Sequence, residues 1–417
     1  MSESRVIPPL RIAVLGDFEG IHTRRWLEVF VERGHEVHAI SYYWPRVHLP
    51  GVHVHSLKPP PGDAGAEGFW TERPDSSPPS TRKSAFSQLK SRVKGLVPPN
   101  IQRHLNAMRY RRAGLKRVLD EIQPDIFHAH YAVEHGFYGS KAGFHPYVVS
   151  AWGSDLLVES HSLLGRSIAK RALHAADLVT GNDPSLVKRA IELGVPQERT
   201  AVVHLGIDRV FLEAGEQSVN LQAPTSEERI VISTRAHEPI YNLDVLLRAF
   251  AMARAKAPTT KLIVAGTGLQ HGKLQQIAQE LNLGEAVQFV GHQSAVRLAD
   301  LLAAAHVYVS VPSSDSLALS NLEAMAAGAF PIVSGLLSVE GWIAHGTTGL
   351  RVEPGSVAEL ANAFVTAVSD DSLREAAVAP NRAKVEAEGL RETNMLLMER
   401  HYYRLAGHPM AAQGEAI

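Results

Sequence analysis

Short apolar runs alternate with helix-period segments along this chain, and they do so twice, on either side of a polar stretch from 211 to 229. In the first series Arg11-Ile-Ala-Val-Leu15 is closed by Gly16. Trp26, Leu27, Phe30 and Val31 then recur at helical spacing, and Gly34 precedes Val37-His-Ala-Ile40. A short apolar run closed by glycine suits a buried strand, and the spacing that follows suits a helix packed on it. Further strand-like runs at 126–129, 147–151, 178–180 and 201–204 are separated by helical stretches that include 163–175 and 184–193. The second series opens with Arg229-Ile-Val-Ile-Ser233. It continues with a helix at 243–255, a strand at 262–265, a helix at 274–281, a strand at 287–290, a helix at 295–304 and a strand at 307–311. This rhythm argues for parallel sheets with crossover helices. The expected fold class is α/β, with two Rossmann-like units over 1–210 and 211–390. The stretch 211–229 reads as a linker, and a helix is expected within 391–417.

Composition narrows the function. A chain of 417 residues is long enough for two such cores. Its formal net charge of −1, with 20% charged and 45% hydrophobic residues, gives no general attraction to nucleic acid. There is no cysteine, so disulfides, thiolate metal sites and cysteine nucleophiles are excluded. No run reaches the roughly 18 apolar residues of a membrane span. Met1-Ser-Glu-Ser-Arg-Val-Ile-Pro-Pro lacks the apolar core of a secretory signal, so a cytoplasmic location is expected.

One region breaks the rhythm. Eight prolines fall between Trp44 and Thr81, and a basic stretch follows, so 45–117 reads as an excursion from the first unit. From 82 to 117 there are eleven Lys or Arg residues and no Asp or Glu. A solvated helix face is one reading. Leu89, Val93, Leu96 and Val97 among the basic residues also form the apolar side that an interfacial helix needs on an anionic bilayer. A peripheral position at the inner face of the membrane, with a lipid-linked or membrane-surface acceptor, is the corresponding expectation. Nucleic acid is not indicated, because no aromatic interleaving accompanies the charge.

The segment richest in chemistry begins after His306-Val-Tyr-Val-Ser-Val311. Pro312-Ser-Ser-Asp-Ser-Leu-Ala-Leu-Ser-Asn-Leu-Glu323 then leads through Ala324-Met-Ala-Ala-Gly328 to Phe330-Pro-Ile-Val333. Read as strand, loop, helix, strand, it puts a loop at the carboxyl end of a parallel strand and a helix amino terminus behind it. Ligands of open α/β sheets bind at such places, and helix amino termini suit phosphate. Ser320-Asn-Leu-Glu323 also spells a capping box, in which Glu323 only closes the helix start.

Asp315 and Glu323, eight positions apart, resemble the acidic-x7-Glu motif of retaining glycosyltransferases of family 4, which have the GT-B fold. Other segments follow in that family's order: the first βαβ unit with its turn at Gly16, Asp125-Ile-Phe-His-Ala-His130, Ser150-Ala-Trp-Gly-Ser-Asp155, His204-Leu-Gly-Ile-Asp208, Ser233-Thr-Arg235, Ala265-Gly-Thr-Gly268 and Phe289-Val-Gly291. The resemblance implies two sheets facing across a cleft, with a terminal helix crossing back to the first unit. It also implies transfer from a nucleotide diphosphate sugar, a substrate rather than a cofactor, to a hydroxyl acceptor without a metal. On that reading Asp315, His130 and Arg235 are catalytic: Asp315 faces the transferred sugar and Arg235 holds the diphosphate. Donor contacts fall to Gly16, Arg235, Gly266, Gly268, Val290, Gly291, Leu319, Ser320 and Glu323, the last on the ribose. Trp152, Gly153, Ser154 and Asp155 belong to the acceptor side.

The chain departs from the family in three places. Many members have Glu at the position of Asp315, and a Gly-Phe-Gly-like turn where this chain has Ser316-Leu-Ala-Leu-Ser320. His237-Glu-Pro-Ile-Tyr-Asn242 stands where a lysine usually follows the arginine, leaving Lys261 or Lys273 to supply that charge. His128 and His130 share a strand face near His135, but no set of metal ligands surrounds them in sequence. A nucleotide-sugar 2-epimerase of the same fold and a catalytically silent scaffold are the alternatives.

Overall fold

A computed structural model describes residues 8–42, 45–57, 114–219 and 228–408. Most of the proline-rich and basic excursion therefore lies outside the described residues. By internal contacts the chain forms two units, Met1–Val203 with Leu397–Ile417, and His204–Leu396.

The first unit is built on a seven-stranded parallel sheet in the order β3-β2-β1-β4-β5-β6-β7. The strands are β1 (Arg11–Leu15), β2 (Glu36–Ser41), β3 (Val52–Ser56), β4 (Ile126–His130), β5 (Tyr147–Ala151), β6 (Leu178–Gly181) and β7 (Thr200–Val202). β1 lies between β2 and β4, with Ile12 opposite both Val37 and Ile126. Leu15, Phe127 and Val149 pack against Leu119, Leu173 and Leu186 of the crossover helices. Burial of such side chains is worth about 1.5–3 kcal/mol each.

Two sequence expectations change here. The excursion expected from 45 begins with an ordered strand, because Val52-His-Val-His-Ser56 pairs along β2 from Val37↔Val52 to Ser41↔Ser56. At its other end the basic segment enters the helix Leu115–Ile122, where Lys116 pairs with Asp120 and Arg117 with Glu121. Two of its charges are thus met by acids just beyond it.

The helix Arg391–Leu405 carries the chain back into the first unit from Leu397 onward. Met398 and Tyr402 are buried there. Glu399 accepts hydrogen bonds from Arg33 at 2.6 Å and lies 2.7 Å from His35 Nε2. Tyr403 donates to the carbonyl of Pro8.

The second unit holds six parallel strands, ordered β10-β9-β8-β11-β12-β13. They are β8 (Arg229–Ser233), β9 (Thr260–Ala265), β10 (Val287–Gly291), β11 (Val307–Ser310), β12 (Phe330–Ser334) and β13 (Leu350–Val352). Successive residues serve opposite faces: Val231, Val307 and Val309 join one core, Ile232 and Tyr308 the other. A sheet covered on both faces reads as a continuous apolar run, which is why these strands stand out in the sequence. Counted from β8, the strand order is 3-2-1-4-5-6, that of dinucleotide-binding sheets, and β1 to β6 repeat it. The expected linker is partly a helix, Val210–Val219. Phe211 and Leu212 give it an apolar side in the same cluster as Leu302 and Leu322.

Candidate active site

In a sheet of this order ligands bind beyond the carboxyl ends of the two central strands, where the connections diverge to opposite sides. In the second unit those strands are β8 and β11. Ser233-Thr-Arg235 leaves β8, and Pro312-Ser-Ser-Asp315 leaves β11 toward the helix Leu319–Ala327. The two loops meet. Arg235 Nη2 donates to Asp315 Oδ2 at 2.5 Å, and Nη1 donates to Ser320 Oγ at 2.9 Å. The guanidinium lies 4.0 Å from the ring centre of Tyr241. Burial pulls the Arg235 pKa down, but the Asp315 charge, Tyr308, Tyr241 and the hydrogen bond to Asp315 together outweigh it and the net shift is upward.

The capping-box reading fails on geometry. The N-cap is Ala318, no side chain caps the helix, and Ser320 lies inside its first turn. Ser320 Oγ accepts from Tyr308 at 2.7 Å as well as from Arg235. Burial raises the Tyr308 pKa despite the nearby guanidinium, so the phenol keeps its proton and remains the donor. The N-cap residue therefore puts no side chain on the first amides of Leu319–Ala327. The far end of the helix is closed by Gly328 in the left-handed region and by Arg382, which donates to the carbonyls of Ala326 and Ala327. Glu323 is half-buried one turn in, close enough to act on the charge of Tyr308.

Among the described residues several buried polar atoms around this corner lack hydrogen-bond partners: Arg235 Nε, Ser233 Oγ, Thr234 Oγ1, His237 Nε2 and Asn321 Oδ1. Leaving such atoms unmet costs about 1–3 kcal/mol each, so a cluster of them suits a site completed by a ligand. A narrow cleft lined by Pro312, Asp315, Ser316, Asn321, Ser334 and Ser338 opens beside them.

The glycines do different work from one another. A Cβ on Gly266 would sit 2.7 Å from the Arg235 carbonyl oxygen, and one on Gly268 would sit 2.7 Å from that of His237. Both allow the loop after β9 to close against the loop after β8. Gly291 has φ +69° with open space around its missing side chain. Its carbonyl accepts from Gly266 N, and the Val290 carbonyl accepts from Gln293.

The histidine segment in place of the lysine is built in. His237 is fully buried and lies beside His271, Nδ1 to Nδ1 at 2.9 Å. Burial and then the neighbouring imidazole lower its pKa, so it brings no fixed charge. Asn242 ties the two loops together through the Val311 carbonyl and Ser313. Lys261 cannot supply the missing charge: it lies at the amino end of β9, opposite the site, and pairs with Glu228. Lys273 is exposed in the first turn of the helix His271–Glu280.

In the first unit the corresponding corner joins β1 and β4. Gly16 donates its N–H to Ile40, so the amide itself is engaged. Its lack of a side chain matters, because a Cβ would approach Thr23 Cγ2 to 3.3 Å and His130 Cβ to 3.7 Å. His130 is buried, and among the described residues neither ring nitrogen has a hydrogen-bond partner. Burial first, then His128 and His135, push its pKa well below the usual imidazole range. Trp152 faces it at 4.7 Å between ring centres. Gly153 has φ +144°, a backbone region open to glycine.

Asp155 faces inward. Its oxygens accept from the backbone N–H groups of Ala132, Trp152, Gly153 and Leu156, which locks the loops after β4 and β5 together. Burial nevertheless raises its pKa against those four bonds. Ser154 is exposed and bonds Tyr131, whose φ of +73° is strained for a bulky residue. Among the described residues no group of three or more His, Cys, Asp or Glu is arranged to hold a metal, and no helix is long and apolar enough to cross a membrane.

Tyr241, Tyr308 and Asn242 were not singled out from sequence. The only available signal was position: Tyr241 and Asn242 follow the β8 loop, and Tyr308 lies on β11 just ahead of the Asp315 loop.

Comparison with known proteins adds the following. The family model "Glycosyl transferases group 1" matches residues 216–384, and "Glycosyl transferase 4-like" matches 80–183. N-acetyl-alpha-D-glucosaminyl L-malate synthase of Bacillus anthracis is 27% identical over 256 residues, 60% of this chain and 66% of that protein. D-inositol 3-phosphate glycosyltransferase of Nocardia farcinica is 31% identical over 219 residues, 49% of this chain and 48% of that protein. The chain thus spans less than two thirds of the length of these curated relatives. Among solved structures, Anabaena HepE with UDP superposes with a TM-score of 0.69 at 17% identity, covering 95% of this chain and 100% of that one. Sucrose-phosphate synthase from Thermosynechococcus elongatus gives 0.68 at 20% identity, covering 97% and 100%. At these identities the structural likeness speaks for the fold.

Proposed function

Because the chain belongs to the glycosyltransferases of family 4 type and has their GT-B fold, we propose that it moves a sugar from a nucleotide diphosphate sugar to a hydroxyl acceptor, with retention of configuration. The observation that carries this reading is Arg235, a buried guanidinium with an unmet Nε beside an uncapped helix amino terminus. A planar fork and open backbone N–H groups are what a leaving diphosphate needs, and such donors act most strongly as its charge grows. In the free protein Asp315 occupies one arm of that fork. A diphosphate that draws Arg235 toward itself releases Asp315 for the sugar hydroxyls. Glu323 is assigned to the ribose and His130 to the transferred sugar.

HepE has been crystallised with UDP and with UDP-glucose, which favours a uridine diphosphate sugar as the first donor to try. The named relatives act on L-malate and inositol 3-phosphate, both small, hydroxylated and anionic, so an acceptor of that kind comes first. A lipid-linked acceptor and docking of 82–117 on an anionic bilayer form the second choice. That segment lies almost wholly outside the described residues, and sedimentation with anionic vesicles at low salt tests it.

Calorimetric titration with UDP tests the donor site. Arg235→Ala should weaken binding by about 10- to 100-fold, the range for a hydrogen-bonded charge. Glu323→Gln should weaken it less. Wild-type protein that binds none of UDP, GDP and ADP would sink the reading. Binding without turnover would favour the silent scaffold, for which the missing lysine speaks, and an inverted product anomer would remove retention.

A further inference from the structure

A line of buried hydrogen bonds runs beneath the corner that holds His130. Trp26 Nε1 donates to Tyr402 Oη at 3.3 Å, Tyr402 Oη lies 2.5 Å from His128 Nδ1, and His128 Nε2 lies 2.7 Å from Ser150 Oγ. Ser150 Oγ is in turn 2.5 Å from Thr180 Oγ1. All five side chains are at most 3% exposed. The line crosses β4, β5 and β6, and the terminal helix supplies Tyr402, which joins it to Trp26.

Its direction follows from the donor inventory. A phenol is a better donor than acceptor, and the Tyr402 oxygen already accepts from Trp26. Were it to accept from His128 as well, its own proton would be buried without a partner. Tyr402 therefore donates to Nδ1, and His128 is the neutral Nε2–H tautomer donating to Ser150. Full burial, which lowers its pKa to about 3, keeps that imidazole neutral at physiological pH.

Among the described residues no hydrogen bond orients the His130 ring. The ring is held by neighbours instead: His128 at 4.6 Å edge-on, Trp26 at 5.2 Å edge-on and Trp152 at 4.7 Å. Two of those three rings are fixed by Tyr402. We propose that Tyr402 is a positioning residue for His130, fixing the His128 tautomer and the Trp26 indole between which the unbonded imidazole is held. The catalytic meaning of this rests on the assignment of His130 made above, but the geometry can be tested without it.

The experiment is nitrogen-15 NMR of histidine-labelled full-length chain, with the His130 ring signals assigned by their loss in His130→Gln. Wild type should show His128 as the Nε2–H tautomer. Tyr402→Phe keeps the ring and removes only the hydroxyl. It should convert His128 to a tautomer mixture and shift the His130 ring signals, while UDP affinity stays within twofold. Ser150→Ala cuts the line on the other side and serves if the first variant folds poorly. With Tyr402 still donating to Nδ1, it should keep the Nε2–H tautomer and leave His130 nearly unmoved. An Nδ1–H tautomer in wild type, or a His128 change in Tyr402→Phe with His130 unmoved, would overturn the proposal. So would an equal loss of UDP affinity, which would mark a general loosening of the chain. Failure of the wild type to bind UDP strikes the donor assignment and leaves these spectra interpretable.

Discussion

Asp315→Asn separates the two partners at the centre of the donor corner. The Arg235 and Asp315 side chains are 9% and 22% exposed, with Oδ2 2.5 Å from Nη2. Breaking a fully buried pair by removing one charge costs about 3–5 kcal/mol, since the other charge is left uncompensated. Asp315 keeps some water, and asparagine keeps an acceptor for the guanidinium, so about 2 kcal/mol is the appropriate scale. For a unit of this size that lowers the melting temperature by about 4–8 °C. Binding should move the other way. In wild type a diphosphate must share Arg235 with Asp315, whereas in the variant it supplies the counter-charge the fold now lacks. UDP should therefore bind more tightly, by as much as about 30-fold if the whole deficit is recovered. Sugar transfer should fall, because the carboxylate assigned to the sugar is gone. Differential scanning calorimetry with and without UDP, beside isothermal titration, measures both effects. A variant that melts with wild type, or that binds UDP more weakly, would refute this account of the pair.

Gly266→Ala should be costlier than Gly291→Ala. Its Cβ would meet the Arg235 carbonyl at 2.7 Å with φ at +116°, while Gly291 has only its φ of +69° to accommodate. About 2–3 kcal/mol against about 1 kcal/mol is expected from chemical denaturation, with UDP affinity reduced only for Gly266→Ala. Stability should also fall as pH drops below about 6.5, where an unfolded imidazole takes up a proton and buried His128 does not. Because the folded pKa is depressed, this contribution is complete above the unfolded value and is lost as pH falls toward the folded one. By pH 5 the loss amounts to about 2 kcal/mol. Glu399, which burial raises but which His35 and Arg33 bring below the usual carboxylate range, adds a loss in the same direction at still lower pH. A flat denaturation midpoint between pH 7 and pH 5 would contradict the buried, neutral assignment of His128.

What could be read from sequence depended on how a residue is buried. Strands covered on both faces, such as Arg229–Ser233 and Phe330–Ser334, have continuous apolar interiors and declare themselves. β3 does not, because an edge strand of alternating valine and histidine between prolines carries little apolar signal. The stretch 211–229 reads as linker although its start lies in the helix Val210–Val219, because only one side of that helix is apolar. Arg235, Asp315, Ser320 and His130 were named from segments that resemble family motifs, and the fold brings the first three into contact. The partners that orient them were not. Tyr241, Tyr308 and Tyr402 act through contacts that only the folded chain brings together, and the Ser-x-x-Glu pattern misled because the N-cap is Ala318, two residues before its serine.

The return of the terminal helix to the first unit also bears on how the chain is made. Trp26 and His128 are synthesised early, but the hydroxyl that joins them is on Tyr402, and the carboxylate that meets Arg33 and His35 is on Glu399. The unit that leaves the ribosome first is therefore the last to be finished. It must wait, with a buried histidine and a tryptophan still lacking their partner, while the whole of the second unit is translated. A stop codon or a cleavage between Leu396 and Tyr402 would act as a lesion in the amino-terminal core.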